Sequence, residues 1–331
     1  MNSQGLRARG VDGFLGSVMG TVVGDALGMG VEGWPAFLIS ATYGWLDHMV
    51  AGPQPLGSYT DDTEMMLGIL ETLVRTGDFD PEVCAQCFVV NYHPRRGYGG
   101  RIAGIMERLR RGDPWQEVGT DSFGNGSAMR IAPLGAFYFD DLKRLKEMAR
   151  LSCLITHKHP EAQAGAVAQA TGVALALQDH CQGKPLAVDR FISIIQNQIA
   201  DQCPEFAQRL EALRHPPKGD RDSQRQALQC AYRCDVRSIE AVPPALGAFL
   251  WTSTPKQAIE LAVNLGGDTD TLGAMAGALA GAYYGYSRLP AAWLETLETG
   301  PRGRDYILGQ AQLGAQRLIE RLDQPGLGDQ L

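Results

Sequence analysis

The chain has 331 residues, 44% of them apolar, and a formal net charge of −7. That length and apolar content fit a globular protein with a sizeable core, and the acidic balance gives no bulk electrostatic reason to bind nucleic acid or an anionic membrane. Seven cysteines, an odd number in a chain this long, do not form a disulfide framework.

The N-terminal run "MNSQGLRARGVDGFLGSVMGTVVG" imitates a signal peptide, with Arg7 and Arg9 ahead of an apolar stretch. Asp12 interrupts the junction and no A-x-A site closes the run, so it reads as mature protein. Residues 56 to 74, "LGSYTDDTEMMLGILETLV", begin with a Thr/Asp cluster and continue as a helix. There Met66, Leu70 and Leu73 fall one turn apart, and Met65 and Ile69 widen the stripe. Cys84 and Cys87 form a C-x-x-C, Cys230 and Cys234 a C-x-x-x-C, each in a helical segment without His at zinc-knuckle spacing. Reduced thiols are the preferred reading there and zinc the minor one.

Two Gly-rich turns follow, "RRGYGGR" (95 to 101) and "SFGNGSAMR" (122 to 130). Both lead into helices and offer free backbone N–H groups to a diphosphate, although each alone is a common turn. "RLKEMARLSCLIT" and "RFISIIQNQI" are amphipathic, and the Ala-rich 162 to 178 is apolar almost all round, which places it centrally. Residues 201 to 235, rich in Arg, Gln, Pro and Asp, read as a solvated excursion or a loop between helices. "GAQRLIERL" closes the helical series and 323–331 is expected to fray. No stretch alternates with period two over a strand's length, so the fold class is all-α: one compact orthogonal helical bundle, residues 1–322.

A second acidic cluster, "NLGGDTDTLGAMAGALAGAYYG", places Asp268 and Asp270 with Thr269 and Thr271 at another helix start. If both clusters face one cavity, each pair of like charges costs about 4 kcal/mol at 4 Å with an effective dielectric of 20. Such a group must bind cations, hold protons or separate. All-oxygen ligands favour Mg²⁺, Mn²⁺ or Ca²⁺ over zinc. The alternative is ordinary capping, since Asp and Thr are preferred at N-caps and first turns. An EF-hand is excluded, because counting from Asp268 puts Leu272 and Leu279 at ligand positions five and twelve. Gly273, Gly277 and Gly281 recur every fourth residue in the helix that follows. Each Gly costs roughly 1 kcal/mol relative to Ala in a helix interior, which close approach of another backbone would justify. The uncharged run from Thr271 is 17 residues, short of the roughly 20 that span a bilayer.

Taken together, "GSVMGTVVGDALGMGVEG", "SYTDDTEMML", "GNGSAMR", "THKHPEAQAG" and "LGGDTDTLGAMAGALAGAYYG" resemble the ADP-ribosylglycohydrolase family, in order, from about residue 12 to 295. The resemblance implies an all-α domain with two Mg²⁺ (Mn²⁺ in some members) that cleaves the bond between the ribose anomeric carbon and its acceptor. By the family's pattern Thr60, Asp61 and Asp62 ligate metal from one side, and Asp268, Asp270 and Thr271 from the other, which overrides the capping reading of the first cluster. Glu32, in "GMGVEGWP", occupies the family's mobile glutamate position and is the implied general base; taken alone it reads as a surface-loop residue. Asp25 reads as a helix cap or a residue behind the ligands. In the family the two turns line the ADP-ribose groove, so the resemblance implies substrate contacts from Gly97, Tyr98, Gly99, Ser122, Phe123 and Gly124. His157 matches a family histidine near the distal ribose or acceptor, with a hydrogen-bonded core histidine as the alternative.

Within the family the turns look most like the branch that removes ADP-ribose from serine and trims poly(ADP-ribose). Two residues depart from it: Phe123 where Tyr is usual, and Asp121 where a small residue is commoner. The expected activity is therefore release of ADP-ribose from modified serine, or from poly(ADP-ribose) or O-acetyl-ADP-ribose. The rivals are the arginine- or dinitrogen-reductase-directed N-glycosidic reaction, phosphate-ester hydrolysis, and non-catalytic ADP-ribose binding. The expected setting is a cytoplasmic monomer acting on ADP-ribosylated proteins or ADP-ribose-containing small molecules, with no membrane and no direct nucleic-acid partner.

Overall fold

The computed structural model describes residues 3–323. Among them the chain forms seventeen α-helices and five short 3₁₀ turns with no strand, only three isolated bridges. The all-α reading holds. The tail expected to fray lies outside the described residues except for Asp323, which pairs with Arg7.

The architecture is organised by one helix pair. The first helix, Ser3–Gly28, runs antiparallel to Thr269–Tyr284, and the two touch through glycines. A β-carbon on Gly20 would stand 2.1 Å from the Gly277 carbonyl oxygen, and one on Gly273 would stand 2.3 Å from that of Gly24. The Gly273–Gly277–Gly281 spacing thus has its expected cause, a neighbouring backbone. The neighbour carries the same spacing in Gly16, Gly20 and Gly24. Where the stripe ends, the Thr269 hydroxyl donates to the Gly28 carbonyl at 2.8 Å.

The apolar stretch Arg7–Val31 has the length and composition of a membrane-crossing segment, yet 94% of its most apolar window is buried inside the fold. The Ala-rich helix, Pro160–Gln182, is buried over almost its whole length, as its sequence predicts. Gln169 Nε2 donates to the Met275 carbonyl at 2.9 Å, joining it to the glycine-paired helices. The Asp61–Thr76 helix is buried from Asp62 to Leu73, a wider buried surface than the expected stripe.

The stretch read as a solvated excursion is mostly helical. It contains Pro204–Arg209, the 3₁₀ turn Leu210–Arg214 and Arg221–Ala231. Pro204 sits in the first turn of one helix, and the Asp220 carboxylate accepts the Ser223 amide at the start of another. These local starts outweigh a polar composition. All seven cysteines are free, and Cys84 and Cys87 are buried.

Candidate metal centre and substrate cleft

The paired helices bring Asp25, near the end of the first, beside the start of the Asp61–Thr76 helix. Asp25 is fully buried and accepts the backbone N–H of Thr60 (2.9 and 3.1 Å), the N–H of Thr63 (3.0 Å) and the Thr63 hydroxyl (2.6 Å). It therefore caps a helix from a different part of the chain. Thr60 is the N-cap residue itself, and its hydroxyl donates to Asp62 Oδ2 at 3.2 Å.

The two acidic clusters meet. Thr271 Oγ1 donates to that same Asp62 oxygen at 3.4 Å, across 209 residues of sequence. Asp268 occupies the N-cap position of Thr269–Tyr284 without capping it and accepts instead from Asn125 Nδ2. Carboxylate oxygens of Glu32, Asp268 and Asp270 lie within 4.8 Å of one another. Asp62 is 1% exposed and Asp270 3%, far more burial than capping requires. Asp62 Oδ1 is buried without any hydrogen-bond partner.

Crowding and burial set the protonation. Burial first, and then the neighbouring carboxylates, hold Asp61, Asp62 and Asp270 well above the ordinary carboxylate range. Burial pushes Asp25 up to about 6. Burial with the charges of Asp268 and Asp25 pushes Glu32 up to about 7. Ionising this group together requires compensating positive charge. The donor set consists of carboxylates and threonine hydroxyls, with neither His nor Cys among them, and one buried carboxylate oxygen lacks a partner. These residues fit a hard divalent cation.

Glu32 sits on a loop stitched to the second cluster by backbone. Gly33 N–H donates to the Gly267 carbonyl (2.8 Å) and Gly267 N–H to the Trp34 carbonyl (2.9 Å). Gly266 and Gly267, with φ of +74° and +79°, permit that approach. A cleft of about 530 Å³ opens here, bounded by Glu32, Phe123, Asp268, Arg233 and residues 235–237.

The other expected contacts divide. Gly97 approaches Asp61, since a β-carbon there would stand 3.7 Å from Asp61 Oδ1, whereas Gly99 is open to solvent. Tyr98 turns inward, its hydroxyl donating to buried Glu64 at 2.7 Å. Phe123, 45% exposed, lines the cleft. Ser122 Oγ accepts the Gly124 amide at 3.3 Å, so both residues hold the turn. That turn leads into only a three-residue 3₁₀ segment, Asn125–Ser127, and its own chain becomes α-helical only at Ala132, so the turn does not itself run into an α-helix.

His157 is buried beneath this turn. Its Nδ1 lies 2.7 Å from the Thr156 hydroxyl, and a β-carbon on Gly126 would stand 2.9 Å from its ring. Burial, with Arg130 and Arg101, pulls it down to about 3, so the ring is neutral. Asn125 and the 233–237 wall escape sequence reading. Asn125 is one polar residue within a Gly-rich turn, and the wall lies in a stretch whose composition signals only solvent.

Comparison with known proteins identifies the family. The sequence pattern of the ADP-ribosylglycohydrolase family matches residues 6–326. The chain is 31% identical over 300 residues to the protein YegU of Escherichia coli (strain K12), covering 84% of this chain and 89% of that one. It is 28% identical over 330 residues to the ADP-ribosylhydrolase ARH3 of Homo sapiens, covering 88% and 90%. A solved structure named "ADP-ribosylglycohydrolase-related protein complex" superposes with a TM-score of 0.72 at 29% identity, covering 94% of this chain and 99% of that chain.

Proposed function

The chain belongs to the ADP-ribosylglycohydrolase family, an enzyme that acts on ADP-ribosylated substrates, and from that premise we propose that it releases ADP-ribose from modified serine on proteins with the help of two Mg²⁺, or Mn²⁺ in their place. The observation that carries the metal reading is the Thr271–Asp62 hydrogen bond joining two distant acidic clusters, beside a buried carboxylate oxygen left without a partner.

In this reading Thr60, Asp61 and Asp62 hold cations from one side and Asp268, Asp270 and Thr271 from the other. The bound ions would neutralise the crowded carboxylates and polarise the sugar oxygens they hold. Glu32 handles the proton. Its carboxylate, at the cleft beside Asp268 and Asp270, takes a proton from the attacking water or a ribose hydroxyl and returns it to the leaving serine oxygen. Asp25 meanwhile holds the ligand-bearing helix start in place through its three donors. Phe123 offers an aromatic face at the cleft mouth. We place the enzyme in the cytoplasm as a monomer, acting on modified proteins or on ADP-ribose-containing small molecules such as O-acetyl-ADP-ribose.

The direct trial incubates purified protein and Mg²⁺ with peptides carrying ADP-ribose on serine or on arginine. Release from serine alone, abolished by a chelator, is expected. Release from arginine alone assigns the N-glycosidic branch instead, and binding of ADP-ribose without release from either leaves a non-catalytic binder.

A further inference from the structure

The wall of the cleft formed by residues 233–237 takes no part in the chemistry above, yet its backbone is fixed on both sides. Cys234, the only non-glycine residue with positive φ among the described residues (+55°), presents its carbonyl to the Asp268 amide at 2.9 Å. The Val236 carbonyl accepts the Asn125 amide at 2.9 Å, and the Ser238 amide donates to the Phe123 carbonyl at 3.0 Å. The segment is thereby held between the carboxylate cluster and the Phe123 turn.

Arg233 and Arg237 stand on this wall and, among the described residues, are the only cationic side chains lining the cleft. Arg233 is largely exposed and pairs with Asp235 at 2.9 Å. Arg237 is clamped. Its Nε lies 3.1 and 3.2 Å from the two carboxylate oxygens of Glu161, and Nη2 lies 2.7 Å from Oε2. Glu161 is buried and accepts the Ile239 amide as well. A guanidinium carries five N–H donors in a rigid fork. The Glu161 clamp occupies the Nε/Nη2 edge, leaving Nη1 with no protein acceptor, and the group remains 41% exposed. Its carbon lies 5.3 Å from the centroid of the Phe123 ring.

A substrate bearing a diphosphate must enter past Glu32, Asp235 and Asp268. A guanidinium already immobilised by a buried carboxylate loses little freedom on forming a further charge-assisted bond. We infer that Arg237 is the specificity residue for the nucleotide diphosphate, its free Nη1 edge donating to a phosphate oxygen while Glu161 holds the guanidinium beside Phe123. The inference rests on the ADP-ribosyl reading of this site.

Calorimetry with ADP-ribose, and with adenosine as the phosphate-free probe, tests it on the full chain with Mg²⁺. Arg237→Gln alone strands the buried Glu161 carboxylate, so the Glu161→Gln/Arg237→Gln double variant is measured beside it. The double variant is expected to bind ADP-ribose about tenfold more weakly, to keep adenosine affinity within about twofold, and to show a shallower salt dependence for ADP-ribose. In turnover KM rises while kcat is retained. Unchanged ADP-ribose affinity, or an equal loss for adenosine, overturns the assignment. Wild-type protein that binds no ADP-ribose overturns the functional reading beneath it.

Discussion

Replacing Gly273 by Ala separates the role of the glycine stripe from simple helix propensity. The residue lies two positions after Thr271, and its added β-carbon would meet the Gly24 carbonyl oxygen at 2.3 Å, against 3.4 Å or more in ordinary contact. Relief requires the two helices to part by about 1 Å, because the obstacle is backbone and has no rotamer to yield. Overpacking of this kind costs about 3 kcal/mol, at the upper end of its usual range, and the propensity gain of Ala over Gly returns about 1 kcal/mol. A net loss of about 2 kcal/mol is expected in urea denaturation. The same displacement carries Asp270 and Thr271 away from Asp62. Metal–ligand distances tolerate only about 0.2 Å, so Mg²⁺ affinity falls at least about tenfold by titration calorimetry. Gly104→Ala is the control. Gly104 lies within the Ile102–Arg110 helix with nothing within 4 Å of its added β-carbon, so the change is expected to stabilise by up to about 1 kcal/mol. A Gly273→Ala protein as stable as Gly104→Ala, with wild-type metal affinity, would refute the argument that backbone contact positions the site.

Other outcomes follow from the same geometry. In metal-free protein the raised carboxyls, including Asp25 near 6 and Glu32 near 7, stabilise fully below the unfolded carboxylate range, and that contribution is lost as pH rises through the folded values. Thermal unfolding between pH 4 and 8 should therefore show a chelated protein weakening toward pH 8, and the gap between chelated and Mg²⁺-loaded samples widening; a constant gap contradicts the crowding argument. Glu32→Gln should lower kcat by about 100-fold or more while ADP-ribose still binds, and undiminished turnover removes it as the proton carrier. Arg302→Met strands buried Glu71, to which Arg302 donates alongside a 2.8 Å bond to Asn91, and should cost about 3 kcal/mol in urea titrations. A loss below 1 kcal/mol would show that Asn91 and Tyr306 alone satisfy the Glu71 carboxylate.

Where the sequence is legible, a local pattern has a single physical solution. Met66, Leu70 and Leu73 can share a face only on a helix, and an Ala-rich segment without charge can sit only inside. Four aspartates beside threonines draw attention for the same reason: their charges need an answer wherever the chain goes. The spacing of Gly16, Gly20 and Gly24 was equally open to reading, and matching it to Gly273, Gly277 and Gly281 would have named the helix pair directly. Side-chain direction is another matter. Tyr98 lies in a segment that borders the site, yet Glu64 turns it inward, and that choice depends on a residue brought near only by the fold. Cys234 owes its left-handed backbone to contacts on both flanks, so nothing local announces the wall it forms.

The glycine-paired helices also impose an order on biosynthesis. The first of them leaves the ribosome about 240 residues before its partner, a delay of roughly 12 to 50 s at ordinary elongation rates. Throughout that interval a nascent segment with the hydropathy of a bilayer span has no groove to enter. Its shelter is the last long helix but one to be made. A chain cut short before residue 284 therefore lacks the surface that covers this apolar helix, and its core stays open.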